Sequence, residues 1–265
     1  MSVYFKEKPE YLYTSMESMF QQTIPTNDFV LVCDGELTEE LESVINEMEK
    51  LHGETLNVIR LPKNGGLGNA LNEGMKHCKN DLIARMDSDD ISKPYRCEEQ
   101  LKIFEQSPEL SIVGATIEEF DEKPEQALDK RILPEFHEQI IKFAKKRNPF
   151  NHPCVMYRKS AVMNAGGYQD FYLLEDYFLW IRMLIHGERG YNIQDSLLLM
   201  RAGNGLYDRR AGKKYAVSQK KLFQYMYQKR FINIHQYIFS VVIRNGMAIF
   251  PNKLRVSVYR LFLRK

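Results

Sequence analysis

Apolar positions along the chain follow two rhythms. The runs "FVLVC" (29–33), "LNVIRL" (56–61) and "DLIARM" (81–86) are short, and they are rich in aliphatic and β-branched residues. That is the mark of strands buried on both faces. Between them the apolar residues recur every three or four positions. Leu41, Val44, Ile45, Met48 and Leu51 form one helical face, and Leu67, Ala70, Leu71, Gly74, Met75 and Cys78 form another. An earlier helix gathers Leu12, Met16, Met19 and Phe20, and Ser92 can cap a helix running from Lys93. Pro94 fits the first turn of that helix, with Cys97, Leu101 and Phe104 facing inward. Alternation of this kind predicts an α/β fold on a mainly parallel sheet. Further on, "SIVGATIE" (111–118) and "SLLLM" (196–200) read as strands, 121–133 as a polar connection, and "LLEDYFLWIRMLIHG" (173–187) as a helix.

In such sheets ligands bind beyond the carboxyl ends of the strands, and three strands deliver chemistry there. Asp34-Gly35 follows the first run, "PKNGGLGNALNEG" follows the second, and Asp87-Ser88-Asp89-Asp90 follows the third. Carboxylates two positions apart after a strand can reach one hard divalent cation such as Mg²⁺ or Mn²⁺. A solvated turn accommodates the same residues. A calcium loop is excluded, because Ile91 and Ser92 stand where an acid or Asn and then a Gly are required. The glycine loop supplies Gly66 and Gly68, yet Leu71 occupies the third glycine position of the dinucleotide fingerprint. It fits phosphate at a helix start, or an ordinary strand–helix turn. Glu175-Asp176 opens the helical pattern of 173–187, as helix-terminus charge complementarity or as a general base.

Charge changes the picture at the end of the chain. Of 37 Lys/Arg, twelve lie in 213–265, a segment without Asp or Glu; the preceding 212 residues hold the other 25 against all 35 acids. The segment "NKLRVSVYRLFLRK" sets Leu254, Val258, Leu261 and Phe262 on one face among Arg255, Arg260, Arg264 and Lys265. This is the pattern of a helix lying on an anionic membrane surface, or of one docking on the acidic body of its own chain. Aliphatic faces without a reading motif argue against nucleic acid. No apolar run reaches the ~18 residues of a membrane span. The four cysteines, Cys33, Cys78, Cys97 and Cys154, are scattered and read as buried thiols in a reducing compartment. A cytoplasmic chain follows, with the domain division 1–212 and a helical tail 213–265.

The ordered set "ESMFQQTIP", "VLVCDGELTEEL", "NGGLGNALNEGMKHCKNDLIARMDSDDISKPYRCEEQ", "NHPCVMYRKSAVMNAGGY" and "LLEDYFLWIRML" resembles the family 2 inverting glycosyltransferases of GT-A fold. The likeness spans roughly residues 1–205, and it is strongest to bacterial enzymes building O-antigen, capsule or exopolysaccharide. It implies that Asp89, with Asp87 or Asp90, holds Mn²⁺ or Mg²⁺ against the diphosphate of a nucleotide sugar. It places Val3, Tyr4, Asp34, Gly66, Gly68, Asn72, Arg85, Asp87 and Ser88 on the donor side. It implies Asp176 as general base beside Glu175, and Asn151-His152-Pro153 beside the acceptor. The implied reaction moves a hexose, galactose or glucose from a UDP donor by the family's habit, to a polyprenyl-diphosphate-linked saccharide at the inner membrane face.

Two features depart from the family. The first strand keeps only Ser2 to Tyr4 where members carry a full central strand, and Cys33 replaces the first acid of the common Asp-Asp-Gly. A sugar nucleotidyltransferase would carry a Gly-rich basic loop where this chain reads "VYFKEKPEY". A membrane-associated assembly factor without turnover would keep the fold and lack the acids, which are all present.

Overall fold

The computed structural model describes residues 1–202 and 213–249. Three strands, β1 (Ser2–Val3), β2 (Phe29–Cys33) and β3 (Leu56–Arg60), form a parallel sheet in that order. Helices α1 (Pro9–Phe20), α2 (Glu39–His52) and α3 (Leu67–His77) connect and follow them. A second sheet of six strands runs β4 (Leu82–Ala84), β8 (Met156–Arg158), β6 (Leu110–Phe120), β9 (Arg189–Arg201), β5 (Ile91–Ser92), with β7 (Ala127–Arg131) also on β6. Here β6 and β9 are parallel, whereas the β4–β8, β6–β8, β6–β7 and β5–β9 pairs are antiparallel. The parallel part of the architecture is therefore its first sheet and its longest pair. Among the described residues no ladder joins β1 to β4.

One apolar cluster nevertheless spans both sheets. Val3, Leu31 and Leu12 lie in it with Met86, Val113, Met156 and Leu198. Helix α4 (Arg96–Gln106) closes this cluster, and the remaining helices are α5 (His137–Ala144), α6 (Lys159–Asn164), α7 (Glu175–Ile185), α8 (Lys213–Gln228) and α9 (Ile234–Ile249). A second cluster gathers around Trp180 of α7, with Ile140, Ala144, Val155 and Tyr157. Leu222, Phe223 and Met226 of α8 belong to this second cluster. Outward on α9 stand Ile234, Ile238, Phe239 and Val242, all exposed. The amphipathic residues Leu254, Val258, Leu261 and Phe262 lie outside the described residues.

Several elements differ from the sequence pattern, each for a physical reason. The helix after the acidic run starts at Arg96, not Lys93, and Ser92 does not cap it. Ser92 is instead in β5, where its N–H donates to the Ser18 hydroxyl and its own hydroxyl accepts from Gln22. The 121–133 connection contains β7, whose exposed residues give no apolar signal. Strand β9 begins seven residues before "SLLLM", at Arg189, because it pairs along the whole length of β6, from Leu110 to Phe120. Leu51 is exposed, while Leu41, Ile45 and Met48 carry the buried face of α2.

The inner face of α4 is polar where apolar periodicity predicts Cys97 and Leu101. Phe104 is buried as expected, but Arg96 and Gln100 are buried with it, and Cys97 and Leu101 are only half-buried against the cluster. The Arg96 guanidinium, 0% exposed, donates to the carbonyls of Arg85 at 2.6 Å and Val155 at 3.2 Å. Gln100 donates to the carbonyls of Val113 and Cys154. These two side chains donate to backbone carbonyls where β4, β6 and β8 meet. Arg96→Ala would remove the side-chain donor to the Arg85 carbonyl, leave Val155 only its bond from the Arg85 N–H, and open a cavity. It is expected to lower the unfolding free energy by about 3 kcal/mol in urea titration.

Candidate active site

The edge of the first sheet is tied together by Asp34. Its carboxylate, 4% exposed, accepts from the Gly65 N–H at 2.7 Å and the Gly66 N–H at 3.0 Å. Its own N–H donates to the Val3 carbonyl. Asn64 adds a bond to the Asp34 carbonyl. Gly35 then turns at φ +89, and a Cβ there would come within 2.6 Å of the Asn64 nitrogen, so only glycine permits the approach. Asp34 thus sets the glycine loop from which α3 starts. Val3 is buried in the core, while Tyr4 is exposed beside it.

From α3 the loop reaches the other half of the site. Asn72 exchanges two bonds with the Tyr168 backbone, at 2.8 and 2.7 Å. Gly68 faces Tyr168 and Glu175, at 3.4 and 3.9 Å from the position of a Cβ. Glu175 and Asp176 form the first turn of α7, which an unusual residue introduces: Leu173 sits at φ +58, in the left-handed region. Such a conformation costs on the order of 1–3 kcal/mol in a non-glycine residue. The Leu173 N–H donates to Glu175, and the Leu174 N–H to the Phe171 carbonyl. Asp176 accepts from Asn148 at 2.5 Å and from the Tyr177 N–H at 2.6 Å. Burial first, and the Asp176 charge against it, hold Glu175 above its usual range. Deeper in α7, Arg182 donates to the carbonyls of Ala165 and Gly167, which fixes the turn that carries Tyr168.

The acidic run is gripped from three sides. Arg85, 2% exposed, makes a bidentate ion pair with Asp87. The Ser15 hydroxyl of α1 donates to the Asp87 carbonyl at 2.7 Å. Arg201, at the end of β9, donates its N–H to Asp90 at 2.8 Å and its side chain to the Asp89 carbonyl at 3.2 Å. Its guanidinium lies 3.7 Å above the Tyr11 ring. Burial, followed by the charges of Asp87 and Glu7, pushes Asp89 up to about 7. Burial, then the charges of Asp89 and Asp87, hold Asp90 well above its usual range.

These residues fit a divalent cation. One carboxylate oxygen from each of Asp87, Asp89 and Asp90 lies within 4.8 Å of the others. Asp90, 2% exposed, leaves Oδ2 buried without a partner. Three hard oxygen donors, with Asp89 and Asp90 held above their usual range and an orphaned oxygen on Asp90, suit Mg²⁺ or Mn²⁺, whose charge would replace the protons.

The segment Asn151-His152-Pro153 stands behind Tyr168. Asn151 is buried and donates to the carbonyls of Ala115 and Arg131. Pro153 is buried, and His152 pairs with the Tyr168 hydroxyl at 2.9 Å. Burial, then the Arg85 charge, keeps the imidazole well below its ordinary value, hence neutral. Tyr168 feels the charges of both Arg85 and Asp176.

The sequence patterns missed Glu7, Ser15, Asn148, Tyr168 and Arg201. Glu7 and Arg201 follow the carboxyl ends of β1 and β9, so the rule that flagged Asp34 applies to them. Ser15, Asn148 and Tyr168 carry no such signal.

The chain belongs to the glycosyltransferases, and specifically to glycosyl transferase family 2, whose model matches residues 1–166. An uncharacterized glycosyltransferase of Haemophilus influenzae is 42% identical over the whole chain and 98% of its own length. The Escherichia coli UDP-Gal:alpha-D-GlcNAc-diphosphoundecaprenol beta-1,3-galactosyltransferase is 35% identical over the whole chain and 95% of its own length. The amylovoran biosynthesis glycosyltransferase AmsE of Erwinia amylovora is 41% identical over 84% of the chain and 83% of its own length. Among solved structures, Staphylococcus aureus TarS 1-349 in complex with UDP-GlcNAc superposes with a TM-score of 0.71 at 13% identity, over 99% of this chain and 75% of TarS 1-349. The mannosyltransferase PcManGT of Pyrobaculum calidifontis, in complex with GDP-Man and Mn2+, gives 0.65 at 13% identity, over 98% of this chain and 72% of its own. At that identity the shared property is the GT-A fold.

Two outcomes test the geometry. Asp34→Asn sets an amide donor against one of two backbone N–H groups. Hydrogen exchange at Gly65 and Gly66 should speed up by the equivalent of about 1–3 kcal/mol, read by mass spectrometry. For His152, the folded chain keeps the ring neutral while the unfolded chain takes a proton below the ordinary value of 6.5. The unfolded state then binds more protons, so this contribution to stability is complete above that value and lost as pH falls. Between about pH 7 and about pH 5, the wild-type Tm should drop more steeply than that of His152→Gln.

Proposed function

We propose that the chain is an inverting hexosyltransferase that moves galactose or glucose from a UDP sugar to a lipid-diphosphate-linked saccharide during cell-surface polysaccharide synthesis. The carrying observation is the pairing of two acidic centres across Tyr168: a cation-binding trio at one edge, and Glu175-Asp176 at a helix head. The end-to-end likeness to a UDP-Gal-dependent enzyme acting on a diphosphoundecaprenol-linked GlcNAc supports the donor and acceptor class.

The residues divide the work. Asp89 and Asp90 would hold Mn²⁺ or Mg²⁺, because Asp87 is already engaged by Arg85 and Asp90 keeps a free-standing oxygen. A bound cation supplies charge neutralisation for a departing diphosphate. Val3, Tyr4, Asp34, Gly66, Gly68, Asn72, Arg85, Asp87 and Ser88 form the donor side, with Asp34 acting through the loop it fixes. Asp176, oriented by Asn148, takes the proton of the acceptor hydroxyl as it attacks the face opposite the nucleoside diphosphate, and the configuration inverts. Glu175 stands beside it, and Asn151, His152 and Pro153 back the acceptor side through Tyr168.

Residues 1–212 form the catalytic part in this reading, and 213–265 form a basic tail on the cytoplasmic membrane surface. No helix among the described residues is long and apolar enough to cross a membrane. The exposed apolar residues of α9 and the absence of acids after residue 212 support peripheral binding.

UDP-, GDP- and dTDP-sugars assayed with Mn²⁺ on a synthetic lipid-diphosphate saccharide should show turnover with a UDP-hexose. Asp176→Asn should retain donor binding while kcat falls roughly a hundred- to ten-thousand-fold; normal turnover would refute the base. Turnover that survives EDTA or Asp89→Ala would refute the cation seat. Deleting residues 251–265 should move the protein from the membrane to the soluble fraction, and unchanged fractionation would count against the tail.

A further inference from the structure

Immediately after β1 the chain places a fourth carboxylate against the acidic run. The Glu7 N–H donates to the Tyr4 carbonyl at 3.0 Å, closing a tight turn. The Glu7 carboxylate accepts from the Lys8 N–H at 2.9 Å through Oε1 and from the Ser88 hydroxyl at 2.6 Å through Oε2. Ser88 is 6% exposed and lies between Asp87 and Asp89. The lysines that flank Glu7 turn elsewhere: Lys6 lies over the Phe5 ring, and Lys8 donates to the Tyr11 hydroxyl. The Arg201 guanidinium is stacked on Tyr11 and hydrogen-bonded to the carbonyls of Asp89 and Asp121. Glu7 therefore directs its charge toward carboxylates it repels, and no cation among the described residues is bonded to it.

A negative group set against three others weakens the fold unless something positive arrives between them. The buried, unpartnered Oδ2 of Asp90 marks where the set is incomplete. We propose that Glu7 is a positioning residue of the cation seat. Through Ser88 it fixes the turn from Asp87 to Asp89, and its charge raises the seat's affinity for a divalent ion. Glu7 does not touch the reacting sugar in this assignment, and it rests on the reading of Asp89 and Asp90 as cation-binding. Outer residues that orient a metal's ligands generally shift its affinity by about ten- to a hundredfold when altered.

Mn²⁺ binding to the full-length protein, followed by electron paramagnetic resonance of the free ion, tests this without turnover. Glu7→Gln keeps an acceptor for Ser88 and removes the charge. It should raise the Kd for Mn²⁺ about tenfold, while Tm measured without metal stays level or rises as repulsion is relieved. Ser88→Ala breaks the link and should also weaken Mn²⁺ binding. A purely structural hydrogen bond predicts the reverse: a lower metal-free Tm and unchanged Mn²⁺ affinity in Glu7→Gln. Wild-type affinity in Glu7→Gln overturns the assignment, whatever Ser88→Ala does. Asp89→Asn serves as the control, with binding abolished. A wild-type protein that binds no Mn²⁺ would remove the seat itself, and Glu7's role with it.

Discussion

Repulsion among the carboxylates of residues 87–90 is the constraint around which this protein is arranged. Left alone, such a run would spread into solvent or take up protons. Here Asp90 is buried and Asp87 and Asp89 are half-buried, so their charge must be met by fixed groups. Arg85 pairs with Asp87 from beneath, Arg201 caps Asp90 from β9, and α1 holds the backbone through Ser15. The same helix reaches further along the segment, with Ser18 and Gln22 binding Ser92 and Lys93. Each grip comes from a different element, so the site is assembled only when the second sheet and α1 are both in place.

The parts of this design that alternate in polarity were legible in the sequence. β2, β3, α2 and α3 carry unbroken or periodic apolar patterns, and their ends fall within a residue of where those patterns stop. The Asp34, glycine-loop and Asp87–Asp90 motifs could be put on one edge because each directly follows such a strand. The head of α7 was placed by its composition and by resemblance. Its route to the site, through Leu173 and Asn148, was not visible.

What stayed hidden has a common cause. Arg96, Gln100 and Arg182 are buried and spend their donors on backbone carbonyls. Hydrophobic periodicity treats such residues as solvent-facing, so it finds Phe104 with the half-buried Cys97 and Leu101 on α4 and misses Arg96 and Gln100. Strand β7 shows the converse failure. It is an exposed edge strand held by its ladder to β6 and by ion pairs of Lys130 and Arg131 with Glu118 and Glu119, and nothing apolar announces it. The motifs also suggested direct ligand contacts for Asp34 and Asn72. In the structure both spend their hydrogen bonds on backbone, and they work as struts between segments distant in sequence.

Helix α8 shares its apolar cluster with α7, the helix whose first turn carries Glu175 and Asp176. The stacked rings of Tyr227 and Tyr237 join α9 to the end of α8. The outward residues of α9 and the carboxylates at the head of α7 thus belong to one continuous packed body. Any surface on which α9 comes to rest is held at a set height from those carboxylates, as the foot of a gauge is from its jaw. For the proposed lipid-linked acceptor, that height would set how many sugar units can stand between the lipid and the point of attack.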